Sequence, residues 1–222
     1  MSILFKIFYF IFWHKFLYFF IYIQPYSCLL YTSFLAAGCQ VFSLHYSVAP
    51  ETFPVALMEL AKVVALVKSH ACEWNIDTER IMVCGFSAGG HLAACLGMMW
   101  NREFLYGPLH AAPEDIQPKG MILCYPVITS GTFGHQRSFE QLLGDRDSDP
   151  LLRELVSLEL QAGPHTPRTF LWHTWTDQSV PAENSLLLAQ ALKKAGVRLS
   201  EQYPQCPLLL SRTVHLAPGA SS

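Results

Sequence analysis

The stretch that decides the fold is VCGFSAGG, residues Val83–Gly90. It contains the pattern G-x-S-x-G at Gly85, Ser87 and Gly89, which is typical of a serine held on a sharp turn between a strand and a helix. Glycine suits both flanking positions because the backbones approach closely at such a turn and side chains would clash there. A serine hydroxyl alone is a weak nucleophile. The rest of the sequence must therefore supply a base and a group that orients that base.

Apolar strands and amphipathic helices alternate on both sides of this turn. Residues 80–86 are apolar without alternation, which is typical of a strand buried on both faces. A helix that runs to His70 is predicted by apolar residues at helical spacing: Leu57, Leu60, Ala61, Val64 and Val67. Further strands are predicted at residues 40–48, 119–127 and 168–174, and further helical segments at residues 34–38 (ended by Gly38), 150–160 and 182–195. This alternation favours the α/β class, with a mostly parallel sheet flanked by helices.

Composition argues against several classes of partner. Of the 222 residues, 14% are charged, against roughly 25% in soluble domains. The net charge is −2, and no basic stripe indicates a nucleic-acid partner. The seven cysteines are odd in number and form no C-x-x-C pair, so neither a disulfide framework nor a zinc site is predicted. Reduced, buried thiols fit best, and we expect a cytoplasmic protein without a metal or an organic cofactor.

The first 33 residues differ in character from the rest of the chain. Residues 1–23, MSILFKIFYFIFWHKFLYFFIYI, are dense in Phe, Tyr and Ile, but Lys6 and Lys15 leave uncharged runs shorter than the ~20 residues of a spanning helix. Membrane association of this segment stays an alternative. Cys28–Ser33, CLLYTS, is the peptide that the DNA word TGTCTCTTATACACATCT encodes, and this word matches a transposon end used to build sequencing libraries. The alternative is an ordinary apolar loop. We therefore predict a chimeric apolar leader (1–33), an α/β domain (34–211) and an irregular tail (212–222).

Asp177 is the candidate for the acidic member of a catalytic triad. It lies in HTWTDQSVP, residues 173–181, directly after a predicted strand and downstream of Ser87. A carboxylate at the carboxyl end of a neighbouring strand can orient an imidazole and stabilise its cation. The alternative is an Asx-type turn residue before Val180 and Pro181.

Four blocks in order resemble a known family, the α/β-hydrolase esterases of the acetyl-xylan-esterase and acetyl-esterase type: LHYSVAPETFPVALMELA (44–61), RIMVCGFSAGGHLAA (80–94), LCYPVITSG (123–131) and FLWHTWTDQSVPAENSLLLAQALKKAG (170–196). The resemblance implies the α/β-hydrolase fold and hydrolysis of short acyl esters, often acetyl groups on sugars, through an acyl-enzyme. By this resemblance Ser87 matches the nucleophile and Asp177 the acid, and the N–H of Ala88 would face the oxyanion. The partner implied is a small-molecule or carbohydrate ester.

The sequence departs from that family at both ends. Such enzymes carry a Gly-rich loop, HGGG or PGGG, that supplies a second oxyanion N–H, and none precedes Phe34. The fold is therefore expected to be truncated at its N-terminal strands unless the leader supplies a strand of its own. Leu208 stands where the family has its histidine, and leucine cannot accept a proton. The only later histidine is His215, which we assign as the base.

Two other interpretations stay open. The missing loop and Leu208 would also suit a catalytically inactive fragment or a binding protein of the same fold. A peptidase of this fold would share the G-x-S-x-G turn, although the four blocks favour an esterase. His91 and His173 are interpreted as structural histidines.

Overall fold

A computed structural model describes the backbone of residues 7–13, 16–22 and 27–202 and the side chains of residues 32–200. The strands are β1 (Ile7–Trp13), β2 (Phe16–Tyr22), β3 (Gln40–Ser43), β4 (Ile81–Phe86), β5 (Gly120–Cys124), β6 (Arg168–Trp172) and β7 (Leu199–Gln202). The helices are α1 (Ser27–Ala36), α2 (Val55–Ser69), α3 (Ala88–Met99), α4 (Glu103–Tyr106), α5 (Pro113–Ile116), α6 (Gln136–Leu143), α7 (Pro150–Leu155) and α8 (Glu183–Lys194).

The described strands form one sheet in the order β3-β1-β2-β4-β5-β6-β7. Neighbours from β2 through β7 pair in parallel, whereas β1 pairs antiparallel with both β2 and β3. Parallel neighbours need crossover connections, and helices such as α2, α3 and α8 lie in those connections and cover the sheet. The predicted α/β class with a mostly parallel, helix-flanked sheet is confirmed.

Residues of the predicted leader supply two strands of this sheet. β2 lies beside β4, with Leu17 opposite Ile81 and Ile21 opposite Gly85. The place where we expected a truncation is thus occupied by a strand from the apolar segment. The boundaries at residues 33 and 211 remain predictions. Within the described residues, no helix combines the length and the apolar character that crossing a bilayer requires.

Two of the predicted helical features are confirmed. Helix α1 ends at Ala36, and Gly38 follows with φ of +79°, a left-handed conformation that glycine adopts without steric cost. Helix α2 buries the predicted face of Leu57, Leu60, Ala61, Val64 and Val67. These residues belong to the main core between the sheet and the helices.

Four predicted elements end earlier than expected. The strands predicted at residues 119–127 and 168–174 end at Cys124 and Trp172. The strand predicted at residues 40–48 ends at Ser43. Further on, Glu59 of α2 accepts hydrogen bonds from the Ser47 N–H (2.7 Å) and the Ser47 hydroxyl (2.6 Å), so this part of the chain is held by α2 instead of a neighbouring strand. The helix predicted at 150–160 ends at Leu155, and the Leu158 N–H donates to the Ile128 carbonyl (3.0 Å).

The carboxyl ends of β4, β5 and β6 are aligned. Phe86 lies opposite Cys124, and Cys124 lies opposite Trp172. Adjacent strands are about 4.8 Å apart, so the ends of β4 and β6 are separated by about 10 Å. In open parallel sheets, ligands bind outside the carboxyl ends of the strands. The residues that follow these three strands therefore form the candidate site.

Candidate active site

Ser87 occupies a sharp turn between β4, which ends at Phe86, and α3, which begins at Ala88. Its φ of +52° and ψ of −123° are unusual for a residue with a side chain, a strain that costs of order 1–3 kcal/mol. Three backbone hydrogen bonds hold it: the Ser87 N–H donates to Cys124 (3.1 Å), and the Ser87 carbonyl accepts from His91 (3.1 Å) and Val127 (3.2 Å). The strand–turn–helix setting predicted for G-x-S-x-G is present.

Gly85 has a steric reason to be glycine. A β-carbon built there would lie 2.7 Å from the Gly90 nitrogen and would also overlap the Gly89 backbone. Gly90 is restricted in turn, since its β-carbon would lie 2.8 Å from the β-carbon of Pro126. The close approach that we predicted at Gly85 is therefore observed, and it packs the start of α3 against the end of β4.

The N–H of Ala88 is a hydrogen-bond donor at the first position of α3. Among the described residues, none accepts a hydrogen bond from it. The N-terminus of a helix also carries a partial positive charge, which favours an anion at this point. An oxygen that becomes negative beside Ser87 would be stabilised by the Ala88 N–H and by this partial charge, as the predicted oxyanion role requires.

Asp177 follows β6 in a turn closed by its own N–H, which donates to the Thr174 carbonyl (3.0 Å). Its Oδ1 accepts from the N–H groups of Ser179 (2.8 Å) and Val180 (2.9 Å). This is the Asx turn that we considered as the alternative. Its Oδ2 makes no hydrogen bond within the described residues, and the side chain is 18% exposed. The hydrogen bonds to Oδ1 thus fix the orientation of the carboxylate, and Oδ2 can still accept a hydrogen bond from a base.

His173 is a structural histidine. The Val180 carbonyl accepts from Nε2 (2.9 Å), so Nδ1 is the acceptor for the Ser185 hydroxyl (2.7 Å). Burial lowers its pKa, and the Asp177 carboxylate, 3.9 Å from Nε2, opposes that effect only in part. Both ring nitrogens are occupied, so this side chain cannot take a proton from Ser87.

His91 is buried behind the turn. The Val127 carbonyl accepts from Nδ1 (3.1 Å), and the ring meets Phe139 edge-on with centroids 5.5 Å apart. Nε2 has no hydrogen-bond partner among the described residues. Burial lowers the pKa of His91 to about 4, so the ring is neutral near pH 7. His91 stabilises the turn at Ser87 in two ways. Its own N–H donates to the Ser87 carbonyl, and its ring bonds to Val127, whose N–H donates to the same carbonyl.

This burial predicts a specific pH dependence of stability. The unfolded chain takes up a proton on His91 below its ordinary pKa of 6.5, whereas the folded chain does so only near 4. Stability is therefore lost as the pH falls, by about 3 kcal/mol between pH 7 and pH 4 from this group. Urea unfolding at the two pH values measures the loss. In His91→Asn, whose amide can still donate to Val127, the loss should be smaller by about that amount. An equal loss in both proteins would contradict the prediction.

Two positioning residues were missed by the sequence analysis. Tyr125 has φ of +38°, although a residue before proline is normally extended, and its N–H donates to Trp172 (2.6 Å). Asn184 of α8 is buried, and its Oδ1 accepts from Ile128 (2.9 Å) and Thr129 (3.1 Å). Its Nδ2 donates to the carbonyls of Phe133 (2.8 Å) and Pro181 (3.0 Å). The available signal was a polar residue on the face of α8 that also carries Leu188, Ala189 and Leu192.

A cavity of about 90 Å³ lies on the α3 side of the turn, between the loop after β3, α3 and α6. We call it the α3 cavity. Its walls include the apolar side chains of Phe53, Leu57, Leu92, Val127 and Phe139, together with Ala88 and His91.

The predicted base lies outside the described residues, as does Leu208. His215 therefore stays a prediction. Residues 23–26, which come after β2 in the sequence, are outside the described part as well. Among the described residues, no group of three or more His, Cys, Asp or Glu side chains could hold a metal ion.

Comparison with known proteins defines the family. The sequence model of the BD-FAE family matches residues 24–192. The solved structure of an acetyl ester-xyloside bifunctional hydrolase from Caldicellulosiruptor lactoaceticus is 37% identical, with a TM-score of 0.68, over 82% of this chain and 65% of that one. The chain therefore belongs to the BD-FAE family and has the α/β-hydrolase fold.

Two curated relatives are much longer than this chain. Endo-1,4-beta-xylanase B of Butyrivibrio fibrisolvens is 38% identical over 141 residues, which are 64% of this chain and 22% of the xylanase. An acetylxylan esterase of Xylanibacter ruminicola is 26% identical over 163 residues, which are 72% of this chain and 32% of the esterase. The chain thus spans less than a third of either protein.

Proposed function

We propose that this chain is a serine esterase that hydrolyses short acyl esters, with acetyl groups on carbohydrates as the substrate class. The observation that carries the proposal is the turn at Ser87, where a strained serine lies beside an Ala88 N–H that no described residue uses. The names of the relatives support the substrate class, since they include an acetylxylan esterase and an acetyl ester-xyloside hydrolase.

The proposed reaction has two steps. The Ser87 hydroxyl attacks the ester carbonyl while a base takes its proton, and the Ala88 N–H stabilises the oxyanion of the tetrahedral intermediate. The intermediate expels the alcohol, which receives the proton from the base, and leaves an acyl-enzyme. Water then attacks the acyl group with the same base, and the carboxylic acid is released. Asp177 orients the base through Oδ2.

His215 is the proposed base because it is the only histidine that follows Asp177 in the chain. Hydrolysis of p-nitrophenyl acetate by the full chain and by His215→Ala tests the function and this role together. We expect the substitution to lower kcat by about 10³-fold or more. Full activity in His215→Ala would contradict the role of His215. An inactive full chain would instead favour the inactive-fragment interpretation.

Trp175 is a candidate contact for the sugar of the substrate. It is 53% exposed, and it lies in the turn between the end of β6 and Asp177. A broad aromatic face can stack on the apolar face of a sugar ring, and aromatic side chains bury large areas on binding.

Removal of this aromatic face should affect sugar esters selectively. We expect Trp175→Ala to raise the KM for acetylated xylo-oligosaccharides about tenfold, while the KM for p-nitrophenyl acetate, which has no sugar, stays within about twofold. Leu160→Ala removes another exposed apolar side chain, outside the candidate site, and serves as the control. An equal rise for both substrates would contradict a sugar contact.

The proposed compartment is the cytoplasm. The described cysteines, Cys39, Cys72, Cys84, Cys95 and Cys124, are free thiols. Burial raises the pKa of the Cys39 thiol to about 11, so this thiol stays protonated and unreactive. Free thiols suit a reducing compartment.

A further inference from the structure

We propose that Lys68 is a modification site, at which the side-chain amine accepts an acyl group from an acyl phosphate. The site is independent of the proposed esterase reaction and lies elsewhere in the fold. The inference is carried by the two hydrogen bonds that hold the amine, by the open pocket beside it and by the charges around that pocket.

Lys68 lies in the last turn of α2, and its half-buried side chain reaches the end of α5. Nζ donates to the carbonyl of Glu114 (2.5 Å) and to the carbonyl of Gln117 (2.8 Å). A lysine ammonium has three N–H donors. Loss of one proton leaves two donors for these two carbonyls and a lone pair that points away from them. The hydrogen bonds therefore hold the amine in place without occupying its nucleophilic side.

An open pocket of about 830 Å³ gives small molecules access to this amine. We call it the Lys68 pocket, and its lining includes Lys62 and Lys68 of α2, Glu79 before β4 and Lys119 before β5. The pocket lies at the amino end of β4, whereas Ser87 follows the carboxyl end of that strand. A strand of this length extends about 17 Å. An acyl group on Ser87 is therefore out of reach of Lys68.

The surroundings of Lys68 favour the neutral amine. Burial and then the positive charge of Lys119 lower the pKa of Lys68 from an ordinary 10.5 to about 8. Three carboxylates oppose this shift only in part: Asp115, Glu79 and Glu114. At pH 7, a pKa of about 8 leaves about a tenth of the amine neutral, against about 0.03% for an ordinary lysine. Since only the neutral amine can attack a carbonyl carbon, Lys68 is prepared to react.

The charges of the Lys68 pocket suit an anionic acyl donor. Lys119 is paired with Glu79 (3.0 Å). Lys62 is exposed on the same lining and forms no ion pair within the described part of the chain. His110 lines the pocket as well and is also exposed. A lysine ammonium binds phosphate as a point charge. The phosphate of the donor can therefore pair with Lys62 while its carbonyl carbon meets the amine of Lys68.

The step is an acyl transfer. The lone pair of Nζ attacks the carbonyl carbon, and a C–N bond forms. The C–O bond to phosphate breaks, and the phosphate leaves with the electron pair. The amine gives one proton to solvent, so the product is an amide with a single N–H. Only one of the hydrogen bonds to Glu114 and Gln117 can then remain, and α2 loses part of its attachment to α5.

Acetylation rates of individual lysines test the inference. The full chain is incubated with acetyl phosphate at pH 7, and mass spectrometry of its peptides measures the acetylated fraction of each lysine over time. Lys193 and Lys194 are the matched controls, because they are exposed and lie in the last turn of α8. We expect Lys68 to be acetylated at least about tenfold faster than either control. Its rate should rise with pH and level off above about pH 8. Equal or slower acetylation of Lys68 would overturn the inference.

Two charge variants test the role of the pocket. Lys119→Gln removes a positive charge beside the amine and should slow the acetylation of Lys68 about threefold. Lys62→Gln should slow it about threefold with acetyl phosphate and leave it unchanged with N-hydroxysuccinimidyl acetate, which carries no negative charge. Lys193→Gln is the control and should change neither rate. Unchanged rates with acetyl phosphate in both pocket variants would contradict an acyl phosphate site.

Ser87→Ala separates this inference from the proposed function. Acetylation of Lys68 by acetyl phosphate should proceed in this variant at the rate of the parent chain, because the amine takes the acyl group directly from the donor. If the acetylation of Lys68 is lost in Ser87→Ala, the acyl group comes from an acyl-enzyme, and the direct transfer is wrong while the proposed function is supported. If the parent chain hydrolyses no ester but Lys68 reacts as expected, only the proposed function fails.

Discussion

Replacement of Ser87 by alanine is expected to lower the hydrolysis of p-nitrophenyl acetate by about 10³-fold or more, to the background of the uncatalysed reaction. The stability of the fold should not change, because the Ser87 hydroxyl makes no hydrogen bond within the described residues. The turn is held by backbone groups of Ser87, Val127 and His91, and all of them remain in the variant. Steady-state kinetics and thermal unfolding of the full chain measure the two quantities.

Ser69→Ala is the matched control. The Ser69 hydroxyl donates to the Leu66 carbonyl (2.8 Å) near the end of α2, and it is exposed. This substitution should leave kcat/KM within about twofold, since it removes a surface hydrogen bond worth about 1 kcal/mol. If Ser87→Ala retained the activity of the parent chain, the nucleophile would have to be another group and the proposed mechanism would fail.

Asp177→Asn is expected to lower kcat by about 10²–10⁴-fold while the fold stays intact. The amide oxygen of asparagine can still accept from the N–H groups of Ser179 and Val180, so the turn after β6 is retained. What the substitution removes is the negative charge at Oδ2 that would stabilise a protonated histidine. Kinetics at a fixed pH, together with the midpoint of thermal unfolding, separate these two contributions.

Asp149→Asn provides an aspartate with the same local geometry outside the site. Asp149 Oδ1 accepts from the N–H groups of Leu151 (2.9 Å) and Leu152 (3.4 Å) at the start of α7. Its replacement should lower stability slightly, by at most about 1 kcal/mol, without changing kcat. Equal kinetic effects at Asp149 and Asp177 would indicate a general loss of structure instead of a catalytic charge.

The strained turn at Ser87 depends on residues far from it in the sequence. Val127, which donates to the Ser87 carbonyl, follows β5, and the next two N–H groups of that loop are held by Asn184 of α8. Asn184 also bonds to Pro181, in the loop that carries Asp177. One buried side chain therefore links the loop that supports Ser87 to the loop that carries Asp177. Under the proposed mechanism, such a linkage would hold both groups in place before a substrate arrives.

Local patterns predicted much of this fold. The uninterrupted apolar run of β4 indicated a strand buried on both faces, and the helical spacing from Leu57 to Val67 gave the inner face of α2. Gly38 indicated the end of α1, because glycine readily adopts the positive φ that the chain takes directly after the last helical turn. In each case the decisive interactions lie within a few residues of one another.

Features that depend on distant partners were not predicted, except that a strand from the leader was left open as an alternative. Strand β3 is shorter than expected, and Glu59 of α2 accepts a hydrogen bond from Ser47 further along the chain. Strand β2 pairs with β4, although β2 precedes β4 by about sixty residues in the sequence. Tyr125 adopts a positive φ before Pro126, against the local preference of such a residue.

The sequence by itself determined the α/β class and the turn at Ser87, because those follow from local apolar patterns and from glycine at fixed spacing. Only the tertiary structure decided which groups surround that turn. Packing between distant segments gives the Ala88 N–H that no described residue uses, the buried and neutral His91, the two occupied nitrogens of His173 and the size of the α3 cavity. Burial and hydrogen bonding across such segments set the protonation and the shape of a site, and a local sequence pattern does not contain them.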